Sequence, residues 1–153
     1  MNKKRIIIGS ILLILLISVV TFYAFHYNDT KQYSEQELNQ IVKELQEKDY
    51  IIDIKDVDKD ILVGKRKWLT LNNDEHISAY LYADNKRMED DAARISTDGC
   101  SYNGIYNKCC ISWISYPYFY KKNNTIVLYV GENRDLINTL EEVFVSQFAG
   151  HKG

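Results

Sequence analysis

An apolar run from Ile6 to Phe25, with no charge inside it, constrains this 153-residue chain more than any other feature. As a helix, its 20 residues would cover about 30 Å, the thickness of a bilayer's hydrocarbon core. Lys3, Lys4 and Arg5 precede it, no basic residue follows until Lys31, and Phe22, Tyr23, Phe25 and Tyr27 close it with aromatics. By the positive-inside rule this predicts a single-pass membrane protein with a cytoplasmic N-terminus. The segment lacks the small-residue cleavage site of a signal peptide, since Ala24 is flanked by Tyr23, Phe25 and His26. A lipoprotein would need a cysteine just after the run, but the first is Cys100. The expected organisation is therefore residues 1–5 cytoplasmic, 6–25 a signal anchor, 26–33 a tether, 34–150 an extracytoplasmic domain and 151–153 a tail.

Beyond the run, enough chain remains for one domain with a single core. That part holds all 21 acidic residues and 16 of the 19 basic ones, a net charge of −5 that argues against nucleic acid as a partner. The basic cluster Lys65, Arg66 and Lys67, beside Trp68, reads as a solvated strand edge.

Hydrophobic periodicity supplies the elements. Ser34 and Glu37 form a capping box, and Leu38, Ile41, Val42 and Leu45 follow at i, i+3, i+4 and i+7, which predicts a helix to about Glu47. Strands are expected around Tyr50–Lys55, over Ile61–Leu71 and over His76–Ala83, the last alternating cleanly. Asp84 can cap a second helix running to about Ser96, with Met88, Ala92 and Ile95 as its apolar stripe. A loop from Thr97 to Lys108, a hairpin from about Cys110–Tyr120 to Thr125–Val130, and a helix from Asn133 to Gln147 complete the chain, with Gly150 as a stop. The prediction is an α+β domain in the order α-βββ-α-ββ-α: a mainly antiparallel five-stranded sheet behind the transmembrane helix, one face covered by helices and the other open.

Chemistry-bearing residues are sparse. Outside a membrane, Cys100 would pair with Cys109 or Cys110 across a loop turned by Asn103 and Gly104, leaving one thiol over. The spacing is not C-x-x-C, and no histidine is near in sequence to make a thiolate. Three cysteines with two adjacent do not make a zinc site, and Asp56, Asp58 and Asp60 lack the glycine and glutamate of a calcium loop, so no metal or cofactor is expected. No G-x-S-x-G, H-E-x-x-H, P-loop or G-x-G-x-x-G occurs, and no catalytic residue is assigned. Glu89, Asp90 and Asp91 read as a charged helix face. Tyr116, Tyr118 and Tyr120 share one strand face and Tyr80 and Tyr82 another, which makes them a candidate aromatic binding surface.

The segment Ile111 to Gly150 resembles the C-terminal part of small membrane-anchored proteins and lipoproteins of unknown function from low-GC Gram-positive bacteria. The likeness rests on Ile126, Val127, Tyr129 and Gly131, in the pattern I-V-x-Y-x-G before a closing helix. It implies a cell-envelope location and no activity. The function expected is a non-enzymatic binding or accessory module acting on an envelope protein or wall component. The alternatives are a thiol-dependent redox enzyme or sensor using Cys100, Cys109 and Cys110, and an immunity-like protein that blocks a toxin at the membrane.

Overall fold

The computed structural model describes residues 14–22, 35–104, 108–144 and 146–152. The chain divides into two units, Met1–Tyr33 and Ser34–Gly153. Of the first unit, residues 14–22 are helical, and the hydroxyls of Ser18 and Thr21 bond back to carbonyls of the preceding turn at 2.8–3.0 Å. This helix covers about 14 Å at 1.5 Å per residue. Among the described residues no helix is long and apolar enough to cross a membrane. That finding corrects the single-pass transmembrane anchor, and with it the cell-membrane location and the outward-facing domain inferred from it. The rest of Ile6–Phe25 lies outside the described residues, as does Ser34 of the capping box.

The second unit is α+β, but its sheet is larger than the five strands expected. Six strands run in the order β1-β2-β3-β7-β6-β8, every neighbouring pair antiparallel. They are β1 (Ile52–Asp56), β2 (Lys65–Leu71), β3 (Glu75–Leu81), β6 (Pro117–Lys122), β7 (Thr125–Val130) and β8 (Gln147–Gly150). A separate two-stranded sheet, β4 (Ser101–Asn103) with β5 (Lys108–Cys110), lies in and just past the expected loop, and the strand expected from about Cys110 begins only at Pro117. The helices are α1 over residues 35–46, α2 (Asn85–Ala92) and α3 (Arg134–Phe144).

The sheet is covered on both faces, not one, because its middle strands are apolar on both: all of β7 except Val130 is buried. On the first face, Leu69, Ile77, Val127 and Tyr120 pack against Leu38, Ile41 and Leu45 of α1 and Leu136, Leu140 and Phe144 of α3. On the second, Tyr80, Tyr82, Phe119, Ile126 and Leu128 pack against Met88 and Ala92 of α2, with Leu62, Ile95 and Tyr102. A sheet with two apolar faces is stable only as the middle of three layers.

Long-range polar contacts fix α1 and α3 over the first face. Lys122 Nζ donates to Glu44 Oε2 at 2.6 Å and to the Val143 carbonyl at 3.1 Å, and Asn124 N–H donates to Glu37 Oε2 at 2.9 Å. Lys48 and Glu142 form a third tie. Burial pushes the Glu44 carboxyl up, but hydrogen bonds from Lys122 and Gln40 outweigh it and hold that carboxyl below its ordinary range.

The end of α3 departs from expectation for a local reason. The final helix stops at Phe144, and the segment meant to continue it pairs with β6 instead, as β8. Gly150 is no helix stop. It sits in this strand at φ +106°, where an added Cβ would lie 2.1 Å from the Pro117 carbonyl. At the end of α1, Tyr50 N–H reaches Leu45 O (3.3 Å) and Asp49 N–H reaches Gln46 O (3.0 Å), with Asp49 at φ 67°: a Schellman closure whose left-handed position carries an aspartate. The same physics thus acts with opposite sign at two positions. Asp49→Gly should raise the unfolding free energy by about 0.5–1 kcal/mol, whereas Gly150→Ala should lower it by more than about 1 kcal/mol. Urea denaturation of both variants against the parent checks this; two changes of the same sign would refute it.

Candidate functional site

The elements converge on a carboxylate. In α2, Met88, Asp91 and Ala92 fall at i, i+3 and i+4, so Asp91 lies on the stripe that faces the sheet and is 2% exposed. The side chain of Asp84 caps this helix, accepting from Arg87 N–H at 2.8 Å. Both Asp91 oxygens are engaged: Oδ2 accepts from Tyr82 OH (2.6 Å) and Val63 N–H (2.8 Å), and Oδ1 from Tyr102 OH (2.5 Å). Arg94 Nη1 stands 3.8 Å from Oδ1 and donates to Tyr102 OH at 3.5 Å. One carboxylate therefore joins β3's end, α2, β4 and the segment before β2.

That segment, residues 57–64, crosses the second face and is fastened twice. Besides the Val63 bond, Tyr80 OH donates to Asp60 at 2.9 Å and Arg66 Nη1 lies 3.1 Å from Asp60 Oδ2. Leu62 is buried between the two fastenings, and Gly64 passes so close to the tyrosines that an added Cβ would lie 2.9 Å from Tyr82 Cζ. This crossing is why β2 begins at Lys65 instead of Ile61. Burial first, and then the neighbouring carboxylate, hold the phenols of Tyr80 and Tyr82 far above the ordinary tyrosine range.

Beside this knot, β2, β3 and α2 enclose a cleft of about 440 Å³. Tyr82 and Asp91 line it, and Lys59, Lys65, Arg87 and Arg94 surround it against a single further acid, Asp90. Lys65 is shared with Asp56 at 3.3 Å, Arg87 with Asp84 at 3.3 Å, and Asp90 with Lys86 at 2.6 Å, all on exposed side chains where ion pairs are weak. Lys59 has no ion-pair partner among the described residues. In a domain that is acidic overall, this cleft is locally cationic.

The two tyrosine rows do not form one surface. Tyr118 and Tyr120 are buried under α1 and α3, Tyr80 and Tyr82 under α2 on the opposite face, and only Tyr116 is substantially exposed, at 47%. The basic cluster beside Trp68 is engaged: Arg66 donates to Ser78 Oγ and lies 5.1 Å from the Trp68 ring centre, and Lys67 reaches Asp56 at 2.8 Å. All three cysteines are exposed and free. In the β4–β5 register Cys109 faces Tyr102 and Cys110 faces Ser101, while Ile111 N–H bonds to the Cys100 carbonyl, so no two cysteines stand directly opposite. Cys100 instead lines a second cleft of about 480 Å³ together with Asp98, Tyr116 and His151. His151 stacks on Tyr116 at 4.0 Å, and its backbone N–H donates to Pro117 O at 2.7 Å, so the tail brings to the cleft of Cys100 a histidine that is distant in sequence.

Asp91 was missed by sequence reasoning because it ends a run of three acids; its place on the helical stripe of Met88, Ala92 and Ile95 was the available signal. Comparison with known protein families, curated proteins and solved structures gives no match to the chain.

Removing the Tyr82 hydroxyl leaves a buried carboxylate oxygen short of a donor, so Tyr82→Phe should cost about 2 kcal/mol. The Tyr120 hydroxyl is buried with no partner among the described residues, so Tyr120→Phe should be neutral or stabilising. Equal losses for the two variants in chemical denaturation would contradict this assignment.

Proposed function

We propose that the Ser34–Gly153 unit is a non-enzymatic binding module whose cleft beside α2 takes a small anionic ligand. The observation that carries this reading is the pairing of four cations around the cleft with a carboxylate whose oxygens are already met by three donors. Such a carboxylate is committed to its three donors and serves to hold the site together. Its work is to hold Tyr82, Tyr102 and Arg94 in place, leaving Lys59, Lys65 and Arg87 as the adaptable contacts. Phosphate or carboxylate groups match guanidinium and ammonium donors of this kind. Inorganic pyrophosphate serves as a probe: at millimolar concentration it should raise the melting temperature and shift the backbone amide resonances of Val63, Gly64 and Arg87. Arg87→Gln and Lys59→Gln should each weaken binding by about three- to tenfold and do so less at high salt. Absence of any shift at about 10 mM pyrophosphate, the ceiling for a weak anion site, would end this reading.

A second reading, thiol-dependent chemistry, has one observation in its favour: Cys100 shares a cleft with His151 and Asp98. On this reading iodoacetamide alkylates Cys100 several-fold faster than Cys109 or Cys110 near neutral pH, and His151→Gln removes the difference. Equal rates at all three cysteines, followed by peptide mass mapping, would dismiss it.

A further inference from the structure

We propose that two copies of this chain pair antiparallel through β1, edge to edge, about a two-fold axis at Ile54. β1 ends the six-stranded order, so among the described residues one side of it has no partner strand. On its other side, Asn72 N–H donates to Ile51 O at 2.9 Å, which makes Ile51 a hydrogen-bonded position of the β1–β2 ladder. Alternation along an antiparallel ladder then turns Ile51, Asp53 and Lys55 towards β2, and leaves the N–H and C=O groups of Ile52, Ile54 and Asp56 on the open edge. A two-fold axis at Ile54 meets this parity: Ile54 exchanges both bonds with its copy, and Ile52 does so with Asp56.

Side-chain chemistry selects the same register. Asp53 of each copy falls opposite Lys55 of the other, Ile54 opposite Ile54, and Ile51 opposite Val57. Ile51, Ile54 and Val57 are 74%, 37% and 36% exposed, apolar surface that this pairing covers. Asp53 and Lys55 already lie 3.2 Å apart within one strand, and pairing completes a square of alternating charge on the second face. Moving the axis to Asp53 or Lys55 would set like charges against each other, which is unfavourable across a ladder. Charge on an edge strand ordinarily discourages pairing; here the order Asp-Ile-Lys makes the strand complementary to itself. The interface is small, well under about 1,200 Å², and belongs with weak, reversible associations.

Charge reversal tests the proposal on the full chain. Sedimentation velocity of the parent should show a reversible monomer–dimer equilibrium with a midpoint on the order of 100 µM, the weak range expected of so small an interface. Asp53→Lys and Lys55→Asp should each weaken self-association by about tenfold or more, because each sets like charges opposite one another twice. An equimolar mixture of the two variants should recover association as a heterodimer, since each then faces its opposite. That recovery also shows that both variants are folded, and association through any other segment is indifferent to these charges. A parent that sediments like the single variants, or a mixture that recovers nothing, would overturn the proposal.

Discussion

A buried carboxylate is tolerated only when its lone pairs are met, and Asp91 imposes that requirement on much of the second unit. An uncompensated charge in this position would cost several kcal/mol, so Tyr82, Tyr102, Val63 and Arg94 must reach it together. Each comes from a different stretch of chain. The consequence is that the segment before β2 is held down on the sheet, the small β4–β5 sheet is oriented by Tyr102, and Arg87 of α2 and Arg94 just beyond it are presented at one cleft. The polar knot and the apolar cluster around Met88 and Leu62 are thus parts of one arrangement.

A second coupling explains the pattern I-V-x-Y-x-G. Tyr129 donates to Glu75 at 2.9 Å and accepts from Asn133 N–H at 3.1 Å, so its hydroxyl pins the start of α3 to the beginning of β3. A Cβ at Gly131 would lie 2.1 Å from that hydroxyl. The glycine clears space for the phenol. Burial first, with Glu75 adding to it against the opposing Asn133 bond, pushes the Tyr129 phenol up to about 12.

What the sequence made legible was local. The apolar stripe of α1, the Asp84 cap, the alternation along β3 and the β6–β7 hairpin all follow from spacing and turn chemistry. What it concealed depended on contacts between distant residues. β8 follows so closely on α3 that only pairing with β6 separates the two, and Ile61–Gly64 reads as strand although it serves as a strap across the tyrosines. The short strands β4 and β5 carry no periodicity to be read. Their register sets the cysteines out of line with one another. His151 joins Cys100 only because the tail folds back along Pro117. The apolar run at the N-terminus gave the firmest expectation and the largest correction, since its described part is a short helix. At the candidate site Tyr82 was visible as a strand residue, but its role required Asp91, which looked like one acid among three.

The ties that α1 and the turn after it make to β6, the β6–β7 turn and α3 bear on how the unit folds. Lys122 with Glu44, Asn124 with Glu37 and Lys48 with Glu142 join residues 78, 87 and 94 positions apart. Closing loops of that length has to precede much of the energetic return, which slows folding relative to a domain built from neighbouring hairpins. The first-face core therefore stays open until both ends of the unit meet. Until they meet, α1 has a hydrophobic stripe and nowhere to bury it, so slow closure lengthens the time for which the unfolded chain is open to aggregation.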